Sequence, residues 1–319
     1  MVASGSSSTS SPTSTSSSTS ERPLTRPRRS EAHVTIRARL TGFGRLVHPF
    51  PSLLDGVVVA VVAIVAGGTS ADAFRLGLSM TLLQFTIGTV NDLVDARTDA
   101  GRKPGKPIPS RSVRPGEARV VAVVTAAGGL ALAAVSPVMV ALAVIVLGIG
   151  LAYDLFAKGT AASWVPFAIG IPILPVYGWL GATGSLPDLF RLLVPVAAVA
   201  GAALAIGNAL VDVERDRAAG DRSVALVLGR VPASLLVVGL HGFVAAVAVL
   251  SLVVLRAPDG WVIVTAVAAA VPLLGSLLGV LAARGSDPTP RERAWEVQAV
   301  GMGSLAVTWV AAVTAAGPL

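Results

Sequence analysis

Two short stretches of this 319-residue chain carry acidic residues at matched spacing. The first, NDLVDARTD, runs from Asn91 to Asp99, and the second, NALVDVERD, runs from Asn208 to Asp216. The stretches agree at five of nine positions, so each has an asparagine and two aspartates spaced four residues apart. On a helix that spacing predicts three side chains along one face. Two carboxylate rows facing each other predict a site for a hard cation such as Mg²⁺, which prefers oxygen ligands.

Basic residues follow each acidic stretch, among them Arg102 and Lys106 after the first and Arg222 after the second. Such side chains suit phosphate oxygens, and Mg²⁺ usually shares one or two carboxylates with a phosphate-bearing substrate. Single acids at a helix end are ordinary interfacial charge, but two aligned copies indicate a shared site. The predicted ligand is a Mg²⁺-bound diphosphate at the membrane surface. Its hydrophobic remainder would lie among helices, which favours a polyisoprenyl diphosphate.

The elements that must position these residues are membrane helices. Apolar residues make up 53% of the chain, charged residues 13%, and the mean hydropathy is +0.75, whereas a soluble domain has roughly 25% charged residues. Long apolar stretches recur near the roughly 20 residues that a spanning helix needs, and lipid demands internally paired backbone. We predict an all-α membrane protein with nine transmembrane helices. The predicted spans are 46–67, 71–92, 116–134, 137–156, 162–183, 188–210, 231–255, 260–283 and 294–315.

The charge distribution predicts the orientation of these helices. Of 25 Lys and Arg residues, only Arg75, Arg191 and Arg256 lie in the loops after odd-numbered helices. By the positive-inside rule, the N-terminus and the site loops are cytoplasmic and the C-terminus is outside a multi-pass cell-membrane protein. The net charge of +7 therefore indicates cytoplasmic loops against membrane lipid, and we expect no nucleic-acid partner.

The ends of the chain and its composition set further limits. Residues 1–20 contain 15 Ser or Thr, so we predict a disordered Ser/Thr/Arg-rich cytoplasmic tail over residues 1–42 and a membrane domain over 43–319. No cysteine is present, which excludes disulfides, thiolate metal sites and cysteine catalysis.

At the two acidic stretches the chain resembles the UbiA superfamily of intramembrane prenyltransferases. NDLVDARTD fits that family's NDxxDxxxD motif, and Asp212 and Asp216 fit its later DxxxD motif. The resemblance covers roughly residues 43–316 and implies a UbiA-type bundle of nine helices. It also implies that metal and bases neutralise the diphosphate of a prenyl donor while its C–O bond breaks, leaving an allylic cation.

The resemblance implies a role for each motif residue. The Mg²⁺ ligands would be Asp95, Asp99, Asp212 and Asp216. The substrate-binding residues would be Asn91, Asn208, Arg102, Lys106, Arg222 and Tyr153. The catalytic residues would be Asp92, behind the metal ligands or as a base for the acceptor proton, and Lys158, as a diphosphate clamp.

The chain departs from the family pattern in the first loop. Where the family often has Arg-Pro and then Gly four residues past the proline, Lys106 replaces the arginine and Arg111 stands at the glycine position. Lysine offers phosphate a point charge without the bidentate fork of arginine. In YDLFAKGT, residues 153–160, only Lys158 remains of the family's Lys-Arg pair.

Three functions compete. The first transfers the prenyl group to an aromatic acceptor such as a hydroxybenzoate or a dihydroxynaphthoate. The second is a UbiA-type terpene cyclase, which folds the cation of farnesyl or geranylgeranyl diphosphate onto its own chain. The third is a transporter or lipid-binding protein, disfavoured because the acids cluster at one membrane face rather than at the midplane.

An allylic cation also needs a water-poor, π-rich cavity. The candidate walls are Tyr153, Phe156, Trp164, Phe167, Tyr177 and Trp179, although aromatics near helix ends are more often interfacial belt residues. His48 could touch an acceptor, but Pro49 and Pro51 more simply indicate a helix start. His241, in an apolar helix, is predicted to be a packing residue.

Overall fold

The computed structural model describes residues 35–317 apart from 102 and 104, and within these residues the chain forms helices and turns without a strand. The α-helices are α1 Ile36–Leu46, α2 Pro49–Val65, α3 Ser70–Asp95, α4 Pro115–Ala133, α5 Pro137–Ala152, α6 Val165–Gly170, α7 Ile173–Thr183, α8 Phe190–Val211, α9 Val213–Ala219, α10 Val224–Leu228, α11 Arg230–Val254, α12 Asp259–Ala282 and α13 Thr289–Ala316. A single π-helical turn, Tyr153–Ala157, extends α5.

Each predicted span has a helical counterpart, but the count by length and composition differs. Among the described residues, seven helical segments are long and apolar enough to cross a membrane, and α1 with α2 makes an eighth if this pair, bent by 48°, is one span. The 26-residue α3 falls outside that set, since polar residues such as Gln84 and Asn91 interrupt its apolar sequence. The chain is therefore a multi-pass helical membrane bundle.

The first helix begins inside the segment assigned to the tail. Thr35 caps α1 by accepting a hydrogen bond from the Ala38 backbone nitrogen at 3.2 Å, and an Arg39–Glu117 ion pair of 2.6 Å joins α1 to α4. Residues 1–34 of the predicted tail lie outside the described residues.

Local sequence fixes where the spanning helices begin. Thr69 and Asp72 form a capping box at the start of α3, which satisfies backbone N–H groups that have no partner within the helix. Ser136 caps α5, and Pro137 occupies its first position, where a missing N–H has no cost. The predicted tight hairpin at Ser136-Pro137 is therefore present, because α4 ends three residues earlier.

Two apolar cores hold the bundle together. One packs residues of α2, α3, α5 and α7, including Val62, Leu76 and Met80. The other packs residues of α8, α11, α12 and α13, including Leu252 and Leu305. Large apolar side chains on the outside, many of them on α4, α11 and α12, stay exposed, as expected of surfaces that face lipid.

The helices α2 and α3 cross at two glycines. A Cβ built on Gly56 would lie 1.9 Å from the Thr81 Oγ1 and 2.8 Å from the Gly77 carbonyl oxygen, and a Cβ on Gly77 would lie 2.8 Å from the Gly56 carbonyl oxygen. Small residues at such crossings let backbones approach closely. The contact fixes α2 against α3 along the path that leads to the first acidic motif.

A partly buried charge cluster joins helices in the second half of the chain. Glu214 on α9 contacts Arg230 of α11 and Arg291 of α13, each at 2.5 Å. The Arg291 side chain is only 2% exposed, and its guanidinium also donates to the Gly285 carbonyl at 2.8 Å. The cluster ties α9, the short helix that carries the end of the second acidic motif, to two spanning helices.

We expect Gly56→Ala to destabilise the bundle by about 1–3 kcal/mol, because the added methyl group overpacks the crossing of α2 and α3. The measurement is thermal unfolding of the detergent-purified chain. The matched control is Gly148→Ala on α5, where a Cβ meets nothing within 4 Å; this variant should unfold near the wild-type temperature. Equal unfolding temperatures for all three proteins would contradict the role of the crossing.

We expect Arg291→Leu to lower stability by on the order of 3 kcal/mol, because part of the Glu214 carboxylate then loses its buried partner. Arg293→Leu, on the exposed side of the same helix, serves as the control and should change the unfolding temperature little. If the two variants unfold alike, the cluster does not hold α9 in place.

Candidate active site

The last two turns of α3 carry the first acidic motif, and Asp92 is its most buried acid. Asp92 is 2% exposed, and its Oδ1 lies 2.9 Å from the His48 Nε2 and in contact with the Lys106 ammonium group. His48 is held at the start of α2 with a left-handed φ of 48° and packs on Gly88. Three segments thus meet at one buried carboxylate.

The neighbouring acid and amide contact the π-helical turn. Asp95 pairs with Lys158, and the Asn91 Nδ2 donates to the Asp154 Oδ1 at 2.8 Å. Asp154 is 5% exposed, and its Oδ2 has no hydrogen-bond partner among the described residues. Single π-turns occur often at functional sites, and here the turn brings Asp154 and Lys158 to α3 together.

The straight carboxylate rows that the spacing predicted do not form. The helix α3 ends at Asp95, so Asp99 lies in the following turn, although its N–H still donates to the Asp95 carbonyl at 2.8 Å. In the second motif Asp212 separates α8 from α9 with a non-helical φ of −97° and ψ of 7°, which puts Asp216 on a different helix from Asn208. Aspartates favour such breaks because their side chains compete for backbone hydrogen bonds.

The two motifs meet at one lysine. The Lys103 Nζ lies 3.4 Å from the Asp99 Oδ1 and 3.7 Å from the Asp212 Oδ2. Among the described residues, no group of three or more His, Asp or Glu side chains surrounds a common point. One carboxylate from each motif within reach of a single cation still fits Mg²⁺, which in phosphate sites takes one or two carboxylates and draws further ligands from substrate and water.

The second motif is more exposed than the first. Asn208 is half-buried in the last turn of α8, and Asp212 pairs with Arg215. Burial raises the pKa of Asp216 above its usual value, and the nearby Asp212 carboxylate adds to the shift. Asp216 thus lies where an additional cation would favour its charged form.

The loops that follow the two acidic motifs are joined directly. The Arg222 N–H donates to the Gly159 carbonyl at 2.7 Å, next to Lys158, while the Arg222 side chain is exposed. The predicted clamps Lys106 and Lys158 point into the site and pair with acids. Arg102 lies outside the described residues.

Arg111 takes a left-handed conformation with φ 59°. This conformation favours glycine, and the resemblance places a glycine at this position. The backbone at Arg111 therefore has a conformation that a glycine would adopt without the steric cost that an arginine incurs.

An apolar cavity opens one helical turn inside the second motif. Its volume is about 140 Å³, and it runs along α2, α8 and α13 from Leu204, four residues before Asn208, to Leu193. Such a shape accepts a hydrocarbon chain whose polar end stays at the acidic motifs. The one acid on its wall is Asp55, whose Oδ2 accepts a 2.8 Å hydrogen bond from the Gln84 Nε2.

The predicted aromatic wall is largely wrong. Only Phe167 of the six candidates lines this cavity, together with Trp295 and Trp309, which were not predicted. Tyr153 packs edge-on against Phe167 with ring centroids 5.3 Å apart.

The other candidate aromatics serve elsewhere. Tyr177 is buried and bonded to Ser79 at 2.7 Å, Trp179 packs on Phe190, and Phe156 is 77% exposed. His241, as predicted, packs inside the bundle, 2.7 Å from the Ser276 hydroxyl.

The structure adds polar residues that sequence reasoning missed or set aside. Asp55, Asp154 and Gln84 lie within apolar helices, and an acid in that setting is itself a sign of function. Lys103 is one of the basic residues that follow the first motif, and His48 was considered as an acceptor contact but more simply explained as part of a helix start. Their contacts depend on packing between segments far apart in sequence.

Comparisons with known proteins agree with this geometry. A profile of the UbiA prenyltransferase family matches residues 56–315. Digeranylgeranylglyceryl phosphate synthase of Natronomonas pharaonis is 32% identical over 265 residues, covering 81% of this chain and 92% of the relative.

Solved structures share the fold. A UbiA homolog from Aeropyrum pernix K1 has a TM-score of 0.64 at 18% identity, covering 82% of this chain and 96% of the homolog. A UbiA homolog from Archaeoglobus fulgidus, solved bound to DMAPP and Mg²⁺, has a TM-score of 0.62 at 17% identity, covering 83% and 99%. With two acidic motifs above an apolar cavity and a family match over most of its length, the chain belongs to the UbiA prenyltransferase family.

Proposed function

We propose that this protein is a Mg²⁺-dependent intramembrane prenyltransferase. It would ionise a prenyl diphosphate at the acidic motifs and transfer the prenyl group to an acceptor alcohol. The observation that carries the proposal is the meeting of acids and lysines from both motifs, together with an apolar cavity that begins at Leu204, one helical turn from the second motif. An amphiphile with an anionic head and a hydrocarbon tail is the ligand that this arrangement suits.

The chain's own residues would divide the work at the diphosphate. The ammonium groups of Lys106 and Lys158 each contact one carboxylate, and each can turn to a phosphate oxygen within the same pocket. Asp95, Asp99, Asp212 and Asp216 would hold Mg²⁺, which would neutralise charge on the departing diphosphate. Asn91 and Asp92, fixed by Asp154 and by His48, would hold the geometry of the motif, and Asn208 would add a polar contact from α8.

The apolar lining would protect the allylic cation. Phe167, Trp295 and Trp309 place aromatic rings on the cavity wall, where a cation is attracted by ring faces. Both indole N–H groups are already bonded within the protein, Trp295 to the Leu204 carbonyl at 3.1 Å and Trp309 to the Ser251 hydroxyl at 2.9 Å. These two indole groups therefore offer no free N–H that would hold water near the cation.

The acceptor is proposed from the relative rather than from the cavity wall. Digeranylgeranylglyceryl phosphate synthase, by its name, makes a glyceryl phosphate product, so we propose a glycerophosphate-type alcohol as acceptor in place of the aromatic acceptor suggested by sequence. The bundle would cross the membrane nine times, with both motifs cytoplasmic and the C-terminus outside, because Lys and Arg avoid the odd-numbered loops.

We expect Asp95→Asn and Asp212→Asn each to reduce Mg²⁺-dependent diphosphate release by roughly 10²–10³-fold, as the loss of one electrostatic contact to the departing group would. Release from geranyl diphosphate by purified protein in lipid nanodiscs is the measurement. Asp188→Asn is the control, because Asp188 lies exposed in the loop before α8. Unchanged release by both motif variants would remove the metal role.

The reaction type is tested with one donor and three acceptor conditions. Geranyl or geranylgeranyl diphosphate is supplied with no acceptor, with geranylgeranylglyceryl phosphate, or with 4-hydroxybenzoate, and products are identified by mass spectrometry. We expect diphosphate to be consumed quickly only with the glyceryl phosphate. A hydrocarbon product without any acceptor would indicate a cyclase, and a product from 4-hydroxybenzoate alone would restore the aromatic acceptor.

A further inference from the structure

The cavity wall carries a polar pair that the diphosphate chemistry does not use. Asp55 on α2 and Gln84 on α3 are bonded at 2.8 Å, and this Asp55–Gln84 pair interrupts two long apolar sequences. An acid inside the bilayer costs more than one hydrogen bond between membrane helices returns. Its retention therefore calls for a partner that the protein alone does not supply.

The Asp55–Gln84 pair lies inside the bundle, below the acidic motifs. Asp55 follows His48 by seven residues and Gln84 precedes Asn91 by seven, so each lies about 10 Å deeper along its helix and on nearly the same face. His48 and Asn91 are both bonded to acids of the site. The pair thus lies two turns below the diphosphate region, at the depth of the prenyl chain.

One carboxylate oxygen of Asp55 is available. Within the described part of the chain, Gln84 is the one side chain that hydrogen-bonds to Asp55, and it bonds to Oδ2. Asp55 is half-buried and lines the cavity, so Oδ1 can accept a hydrogen bond from a molecule there. The close crossing at the adjacent Gly56 holds this orientation.

The chemistry of the two substrates decides between ligands for Oδ1. A prenyl tail is a hydrocarbon and has no hydrogen to donate, and a diphosphate would be repelled by a carboxylate. An acceptor alcohol carries an O–H that can donate, and it must enter the same cavity to meet the allylic carbon.

We propose that the Asp55–Gln84 pair is the binding site for a hydroxyl group of the second substrate. Asp55 accepts the hydrogen bond, and Gln84 orients the carboxyl group. The pair makes the cavity selective for acceptors that carry a hydroxyl group, and it positions them beside the prenyl chain. This proposal rests on the proposed function, because it assumes that a prenyl donor fills the remaining cavity.

The test measures binding and kinetics with wild type, Asp55→Leu, Asp55→Asn and Gln84→Leu in nanodiscs. The probes are geranyl diphosphate, geranylgeranylglyceryl phosphate and the O-methyl ether of the latter, which has lost its hydroxyl hydrogen. We expect Asp55→Leu to weaken binding of the alcohol, and to raise its KM, by roughly 10–100-fold, as loss of a hydrogen bond to a charged group does. Geranyl diphosphate binding should change less than about twofold.

The variants distinguish binding from a structural role. Asp55→Asn keeps the shape and one accepting oxygen and should recover much of the affinity, and Gln84→Leu should move the alcohol KM in the same direction by less. Wild type should prefer the alcohol over its ether, and Asp55→Leu should bind the two alike. Leu281→Met, a volume-conserving change on the exposed face of α12 and away from the cavity, should leave both substrates unaffected.

Two failures are separable. If wild type does not bind geranyl diphosphate, the proposed function fails. If wild type binds the alcohol no better than its ether, or binds neither, or if Asp55→Leu binds the alcohol as wild type does, the Asp55–Gln84 site is overturned. A general fall in geranyl diphosphate binding and unfolding temperature for Asp55→Leu and Asp55→Asn alike would assign the pair to helix packing instead, which also overturns the proposal.

Discussion

A carboxylate at the end of a membrane helix must find a cation or a hydrogen-bond donor, and the site is built around that requirement. Asp92 pairs with His48 and Lys106, Asp95 pairs with Lys158, and Asp99 pairs with Lys103. These partners come from segments before and after α3, so charge pairing brings the start of α2, the loop after α3 and the end of α5 together. The lysines that pair with these acids are also the cations that a diphosphate at the site would meet.

The motif acids are paired differently in the two halves of the chain. In the first half, lysines contact the motif acids directly and the acids are deeply buried. In the second half, the motif acids are partly exposed, and Glu214, which lies between Asp212 and Asp216, pairs with Arg230 and with the buried Arg291. The repeated motif therefore supplies similar acids from two segments that are held in place differently. The first segment is held by ion pairs within the site, and the second by the charge cluster around Glu214.

The sequence predicted best the features that depend on local patterns of residues. The positions of the spanning helices follow from apolar length, and the motif residues from their repeated spacing. The sequence did not predict that the two rows of acids are interrupted. The helix ends at Asp95 and Asp212 depend on where each helix leaves the apolar region. Partner choice was also out of reach: Asp154 meets Asn91 only because the chain folds back 63 residues later.

The cavity wall shows the same limit for aromatic residues. Tyr177 and Trp179 have the composition of a π-rich wall, yet helix rotation turns them toward other helices, while Trp295 and Trp309 on the last helix face the cavity. The sequence alone could have singled out Asp55, since an isolated acid in an apolar helix is costly. Its pairing with Gln84 could not be predicted, because it depends on the close crossing of α2 and α3 at Gly56.

The geometry of the site depends on the number of residues in the π-helical turn. A π turn holds one more residue than an α turn, and each residue of a helix rotates the next by about 100°. Removing one residue between Tyr153 and Lys158 would restore regular helix and swing Lys158 away from Asp95, although Asp154 would stay beside Asn91. The five-residue turn Tyr153–Ala157 therefore determines whether Asp154 and Lys158 can both face α3.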